Sequence, residues 1–306
     1  MVKRKGGQMF DPQILWLIVT VFVVGITIGF LFGKRSVTIA RQKPVTEKVV
    51  EREVKRTLLA TPLPRPVTMV PVEQKNKSWF SFFEKKEKPK IAIVIDDVGN
   101  EKKLSEILWS FPTPVTIAIL PQISHSGYFA AEGKKRGFEV ILHQPMEPIR
   151  SFEKNDLGMI EVKMTDQEII DTLSKNLASV PTAEGINNHK GSKATQDEHT
   201  IRAVVVELKK RGLFYLDSMT SPTSIGWQEA KAIHLPFAQR DVFLDNETET
   251  DYIHGQIDTL AQMARKRGYA VGIGHYKTNT LLVLKEEIKH LEDEGFDIVP
   301  LKKILR

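Results

Sequence analysis

His143, His189 and His275 each stand at the end of a short apolar run, and a double aspartate, Asp96-Asp97, ends another. Ile91–Ile95 leads into Asp96-Asp97, Phe138–Leu142 into His143, Gly185-Ile186 into Asn187-Asn188-His189, and Val271–Gly274 into His275. Two more runs end in polar residues, Leu213–Leu216 at Asp217-Ser218 and Asp241–Leu244 at Asp245-Asn246. Aspartate, asparagine and serine after a strand also serve as turn formers and helix caps. That reading stays open for Asp217 and Asp245. Histidine is not a preferred cap, so three histidines gathered with a double aspartate read as a site.

With no cysteine in the 306 residues, any metal must be held by His, Asp or Glu. Imidazoles plus a carboxylate, without thiolate, describe a site for Zn²⁺ or a related divalent ion with positions left for water. Such an ion lowers the pKa of bound water and polarises a carbonyl. Adjacent Asp96 and Asp97 point to opposite sides of an extended strand, but local twist at a strand end can bring both to one rim. One carboxylate would then bind the metal while the other orients water or acts as base. His275, on the far side, would protonate a departing amine or alkoxide. This set suits hydrolysis of an amide or ester. His125 lies in a loop ahead of a helix, while His199, His234, His254 and His290 fall within helix- or strand-like patterns and read as surface or core residues. Lys190-Gly191-Ser192-Lys193 has half the form of a phosphate loop but lacks the upstream glycine.

Such residues need a scaffold that gathers strand ends. From Lys90 onward, the apolar runs already named are joined by Val115–Leu120 and Phe296–Val299. They alternate with helical patterns at Asp166–Val180, Glu198–Lys210, Asp251–Arg267 and Thr280–Glu294. Gly137, Gly212, Gly268 and Gly295 sit just before strands, where helix stops belong, and Asp197 can cap the second helix. Alternating strands and helices predict an α/β fold with a parallel sheet, open or closed, and the number of runs suits a complete or incomplete (β/α) barrel over residues 90–306. In such folds the carboxyl ends of the strands form the face where chemistry is assembled.

The first 89 residues read differently. A basic segment, 1–13, precedes the uncharged run Ile14–Gly33, and ~20 helical residues span a bilayer core of ~30 Å. We expect one uncleaved transmembrane anchor over 14–33, since Lys34-Arg35 follows the run in place of a small-residue cleavage site. Residues 34–89 form a Pro-rich basic linker ending in the aromatic cluster Trp79-Phe80-Ser81-Phe82-Phe83, which reads as a strap on the domain or a contact for lipid or glycan. Lys and Arg flank the run on both sides, so charge alone leaves its orientation open. Residues 91–306 carry 26 Lys/Arg against 31 Asp/Glu. An acidic folded part argues against nucleic acid as partner.

Six blocks in order carry a family resemblance: Ile93–Gly99, Leu142–Pro148, Gly185–Ser192, Phe214–Ser218, Arg240–Asn246 and Ile273–His275. Together they resemble the divergent polysaccharide deacetylases, over about 90–306. The resemblance implies a distorted (β/α) barrel of the polysaccharide deacetylase type, with a divalent metal, zinc foremost. It makes Asp96 the catalytic base, Asp97 and His143 metal ligands, His275 the general acid and Asp217 the carboxylate that tunes it. The usual second metal histidine, four or five residues after the first, is replaced by the stretch Met146-Glu147-Pro148, and His189 is the natural substitute. Asn187, Asn188, Ser192 and Asp245 are expected to line the substrate. Relatives of this kind are typically exported, which implies a single-pass protein of the cytoplasmic membrane with its globular domain in the periplasm. The expected activity is removal of N- or O-acyl groups from an envelope polysaccharide, peptidoglycan or another amino sugar polymer. The alternatives are a non-catalytic glycan- or protein-binding envelope module, relying on rim aromatics such as Trp227 and Tyr276, and a phosphoester hydrolase.

Overall fold

A computed structural model describes residues 87–150 and 156–306. The anchor at 14–33 and the linker up to residue 86, with its aromatic cluster, lie outside them. Among the described residues no helix is long and apolar enough to cross a membrane.

The chain runs β1 (Lys90–Val98), α1 (Ser105–Trp109), β2 (Thr116–Ile119), α2 (Ser126–Lys135), β3 (Glu139–Met146), α3 (Asp166–Ser179), β4 (Gly185–Lys190) and α4 (Glu198–Arg211). It continues as β5 (Phe214–Asp217), α5 (Gly226–Ala232), β6 (Phe237–Gln239), β7 (Val242–Phe243), α6 (Thr250–Arg267), β8 (Tyr269–His275), α7 (Thr278–Asp293) and β9 (Asp297–Ile298). The four long predicted helices are present within two residues of their expected ends. Asp197 accepts from Thr200 N at 2.8 Å and starts α4, while Gly212 and Gly268, at φ +69° and +90°, end α4 and α6. Helix α2 begins directly after His125, where a helix was expected, whereas α1, α5 and β6 were not anticipated. Helix α1 is only five residues long, α5 seven, and β6 three at a sheet edge, too short for a clear period.

The strands form one parallel sheet in the order β6-β5-β4-β3-β2-β1-β8-β7, with β9 added beside the start of β1. Strands β6 and β7 end the sheet and share no ladder. The structure is therefore a curled, open (β/α) half-barrel, as the sequence led us to expect. Alternation along β1 separates two cores: Ile91, Ile93 and Ile95 face the helices, packing with residues such as Leu173, Val204, Leu260 and Leu284. Ala92 and Val94 face the concave side with Ile141, Leu216 and Ile273.

The last residues fill that concave side at the amino ends of the strands. Leu301 and Ile304 join the inner cluster. Buried Glu139, opening β3, accepts from Thr116 Oγ1 at 2.7 Å and from Lys302 N at 3.1 Å. Leu301 N donates to Thr116 Oγ1 at 3.2 Å, and Arg306 exchanges two backbone hydrogen bonds with Phe237 on edge strand β6. The C-terminus thus plugs one end of the sheet and covers its open edge. Replacing fully buried Leu301 by Ala should cost about 2–5 kcal/mol in urea unfolding, against less than about 0.5 kcal/mol for Ala at exposed Lys303.

Candidate metal centre

The polar residues lie within the last turns of the strands, because β1, β3 and β4 run on through Val98, Met146 and Lys190. Register decides which of them meet. Asp96 pairs with His275 across β1 and β8, and His143 pairs with Asn187 across β3 and β4. Alternation alone would send Asp97 away from Asp96. Instead Asp97 takes a left-handed backbone, φ +62°, where the β1–β2 register is interrupted between Ile95 and Val98. A non-glycine residue tolerates this conformation at some cost, and aspartate tolerates it better than most. Both carboxylates consequently serve one site. Lys190 and Gly191, at φ +55° and +84°, turn the chain away just after His189.

Three ligand atoms converge there. Asp97 Oδ1 lies 3.2 Å from His143 Nε2 and 3.0 Å from His189 Nδ1, and the two nitrogens are 3.0 Å apart. Asp97 Oδ1 is buried yet has no well-placed hydrogen-bond donor. Asn187 Oδ1 accepts from His143 Nδ1 at 2.8 Å, which keeps a proton on Nδ1 and makes Nε2 the atom that would offer a lone pair to an ion. An orphaned carboxylate oxygen facing two imidazole nitrogens is the donor set of a zinc-like divalent ion, and the residues present fit one.

The flanking groups are arranged for proton transfer. Asp96 is buried, with Oδ2 3.6 Å from His143 Nε2 and Oδ1 accepting from Asn187 Nδ2 at 2.8 Å. Burial pushes its carboxyl above the usual range, with Asp97 adding to the effect and His143 and His275 opposing it. Burial also disfavours charge on Asp97, but His143 and His189 outweigh it and hold that carboxyl far below the usual range. His143 is likewise desolvated, yet Asp96 and Asp97 push it up to about 9. His275 Nδ1 donates to Asp245 Oδ1 at 2.7 Å, while Asp245 Oδ2 accepts from His275 N and Thr280 Oγ1. Burial works against the imidazolium of His275, but Asp245, with Asp96 and Asp97 adding to it, outweighs burial and raises its pKa.

Several expected roles change. Asp217 does not hold His275: its oxygens accept from Ser224 Oγ, Met219 N and Trp227 N, fixing the loop after β5. Asp245, expected at the substrate, takes that place, because β7 and β8 are neighbours whereas β5 lies four strands from β1. Asn187 bridges His143 and Asp96 from within the protein. Asn188 is buried and engaged with Ser218 N and Lys190 O, and Ser192 Oγ accepts from Ile149 N. Tyr276 is no rim aromatic but packs against Phe129 in the core, and Trp227 stacks on Phe237. Arg240, missed in the sequence, donates to Ser218 O and Met219 O beside Asp217. The seven-residue block Arg240–Asn246 held it, but nothing in the block singles out arginine.

The two aspartates make opposite forecasts for His275. Asp245→Asn removes the negative charge that favours the imidazolium, so the His275 pKa should fall. Asp217→Asn should leave it where it is. Proton NMR titration of the imidazole C2–H in the purified protein separates the two.

The chain is 32% identical over 215 residues to an uncharacterized protein of Haemophilus influenzae, covering 70% of this chain and 75% of that protein. It is 32% identical over 204 residues to the uncharacterized protein YibQ of Escherichia coli, covering 66% of this chain and 63% of that one. The fold matches the crystal structure of an uncharacterized protein from Agrobacterium tumefaciens with a TM-score of 0.69 at 23% identity, over 72% of this chain and 91% of that one. The family described as divergent polysaccharide deacetylase matches residues 93–305, beginning at the strand that carries Asp96 and Asp97 and ending in the C-terminal plug. The chain belongs to the divergent polysaccharide deacetylase family.

Proposed function

We propose that this chain is a metal-dependent hydrolase that removes N- or O-acyl groups from an envelope polysaccharide, peptidoglycan or another amino sugar polymer. The observation that carries this reading is the convergence of Asp97, His143 and His189, with Asp96 beside His143 and His275 as the register partner of Asp96 on β8. Zinc is the ion that best suits two imidazoles and a carboxylate. When bound, the ion polarises the acyl carbonyl and makes water more acidic.

The protein's own groups then divide the proton work. Asp96 accepts a proton from the attacking water, and burial makes it a stronger base than an ordinary aspartate. Asn187 holds one Asp96 oxygen, which leaves the other for water. Asp245 favours the imidazolium of His275, which delivers its proton to the departing amine or alkoxide. Asp96 and His275 are register partners on neighbouring strands, so base and acid stand side by side.

Within the same proposal, residues 14–33 anchor the chain in the cytoplasmic membrane and the globular part works in the periplasm. That compartment holds peptidoglycan, and the linker of 34–89 gives the domain reach. Support comes from the uncharged run and the family membership.

The test is acetate release from acetylated peptidoglycan fragments and chitin oligosaccharides. We expect chelation to abolish release and zinc to restore it. Asp96→Asn and His275→Ala should each lower kcat about 10²–10⁴-fold while keeping the bound metal. The alkaline limb of the kcat/KM profile should move to lower pH in Asp245→Asn, because His275 then loses its proton earlier. Turnover untouched by chelation would overturn the metal-dependent reading.

A further inference from the structure

His189 shows its two ring nitrogens to different neighbours. Nδ1 faces Asp97 and His143, and Nε2 faces Asp156 Oδ2 at 3.5 Å. For Nδ1 to offer a lone pair, the ring proton must sit on Nε2. A carboxylate opposite Nε2 favours that tautomer. Asn187 plays the corresponding part for His143 with a neutral amide oxygen, so the two histidines are supported by different chemistry.

Asp156 is not loosely placed. Two residues on, the Gly158 carbonyl accepts from Gln144 Nε2 at 2.9 Å and from Asn176 Nδ2 at 2.8 Å, both buried side chains. Gly158 has φ +70°, and a Cβ there would collide with the Asn176 side chain. Ile160 exchanges backbone hydrogen bonds with Pro145 and Glu147, and Glu147 Oε2 accepts from Val162 N at 2.8 Å. Residues 158–162 are thereby fastened to β3 and α3. Lys190 Nζ holds Asp156 Oδ2 at 2.9 Å, and Lys190 directly follows His189.

We propose that Asp156 is a positioning residue of the metal centre: its carboxylate keeps the His189 proton on Nε2 and so frees Nδ1 for the ion. The proposal rests on the metal-centre reading above and adds to it a group that touches neither metal nor substrate.

The experiment measures zinc affinity of the full-length chain by competition with a chromophoric chelator, alongside thermal melting of the zinc-free protein. Asp156→Ala should weaken zinc about 10–100-fold with little change in melting temperature, and Asp156→Glu should recover part of the loss. Lys190→Met should bind zinc nearly as the wild type does. In the zinc-free Asp156→Ala protein, ¹⁵N NMR should show His189 gaining the Nδ1–H tautomer. Undiminished affinity in Asp156→Ala would overturn the proposal. So would an equal loss in Asp156→Ala and Lys190→Met, which would make the pair a loop fastening and nothing more. A wild type that binds no zinc would overturn the metal-centre reading itself, and the role of Asp156 with it.

Discussion

The left-handed backbone of Asp97 is the constraint on which the site depends, since it lets two consecutive carboxylates serve one centre. A regular strand would aim Asp96 and Asp97 to opposite faces, one into the helices and one into the concave side. The interrupted register beside β2 absorbs the change, and the strand resumes contact at Val98. Strand β1 is flanked by β2 and β8, and β9 joins it at its start, so the distortion is held from both sides. Strain of this kind persists where the surroundings over-determine it.

Around that turn the charges are mutually dependent. His143 is fully buried and carries its raised pKa because Asp96 and Asp97 face it, with Asn187 adding to the effect, while Asp97 stays ionised because two imidazoles face it. Neutralising one member leaves another buried and unpaired, which is costly in a low-dielectric setting. Asn187 ties the metal side to the base side with a single amide, using its oxygen on His143 and its nitrogen on Asp96. Asp245 does the same for the acid side, bracing the His275 ring, the His275 backbone and Thr280.

The opposite end of the sheet is built for stability. Glu139, Thr116, Leu301 and Lys302 form a buried hydrogen-bonded knot, and the C-terminal residues cover edge strand β6. A half-barrel that does not close leaves two edges and an uncovered concave face, and this plug addresses one edge and the closed-off end. The carboxyl ends are left to carry polar side chains. Chemistry and structural closure therefore sit at opposite ends of the same strands.

The sequence by itself determined the parallel α/β architecture, the long helices with their glycine stops, and the set of strand ends that bear Asp96, Asp97, His143, His189 and His275. Apolar periodicity and end signals are local, so they can be read without knowing the fold. Strand order is not local. Asp217 and Asp245 look alike in sequence, each closing an apolar run, and only the adjacency of β7 to β8 makes Asp245 the partner of His275. The inward roles of Asn187 and Asn188 follow from register between β3, β4 and β5, and the approach of Asp156 to His189 follows from a loop pinned by Gln144 and Asn176. Tyr276 read as a rim aromatic because its neighbour is a site histidine, but the step from β8 into α7 buries it against Phe129. Which side chains do chemistry was legible from their types, and which of them support one another was decided by packing between residues far apart in the chain.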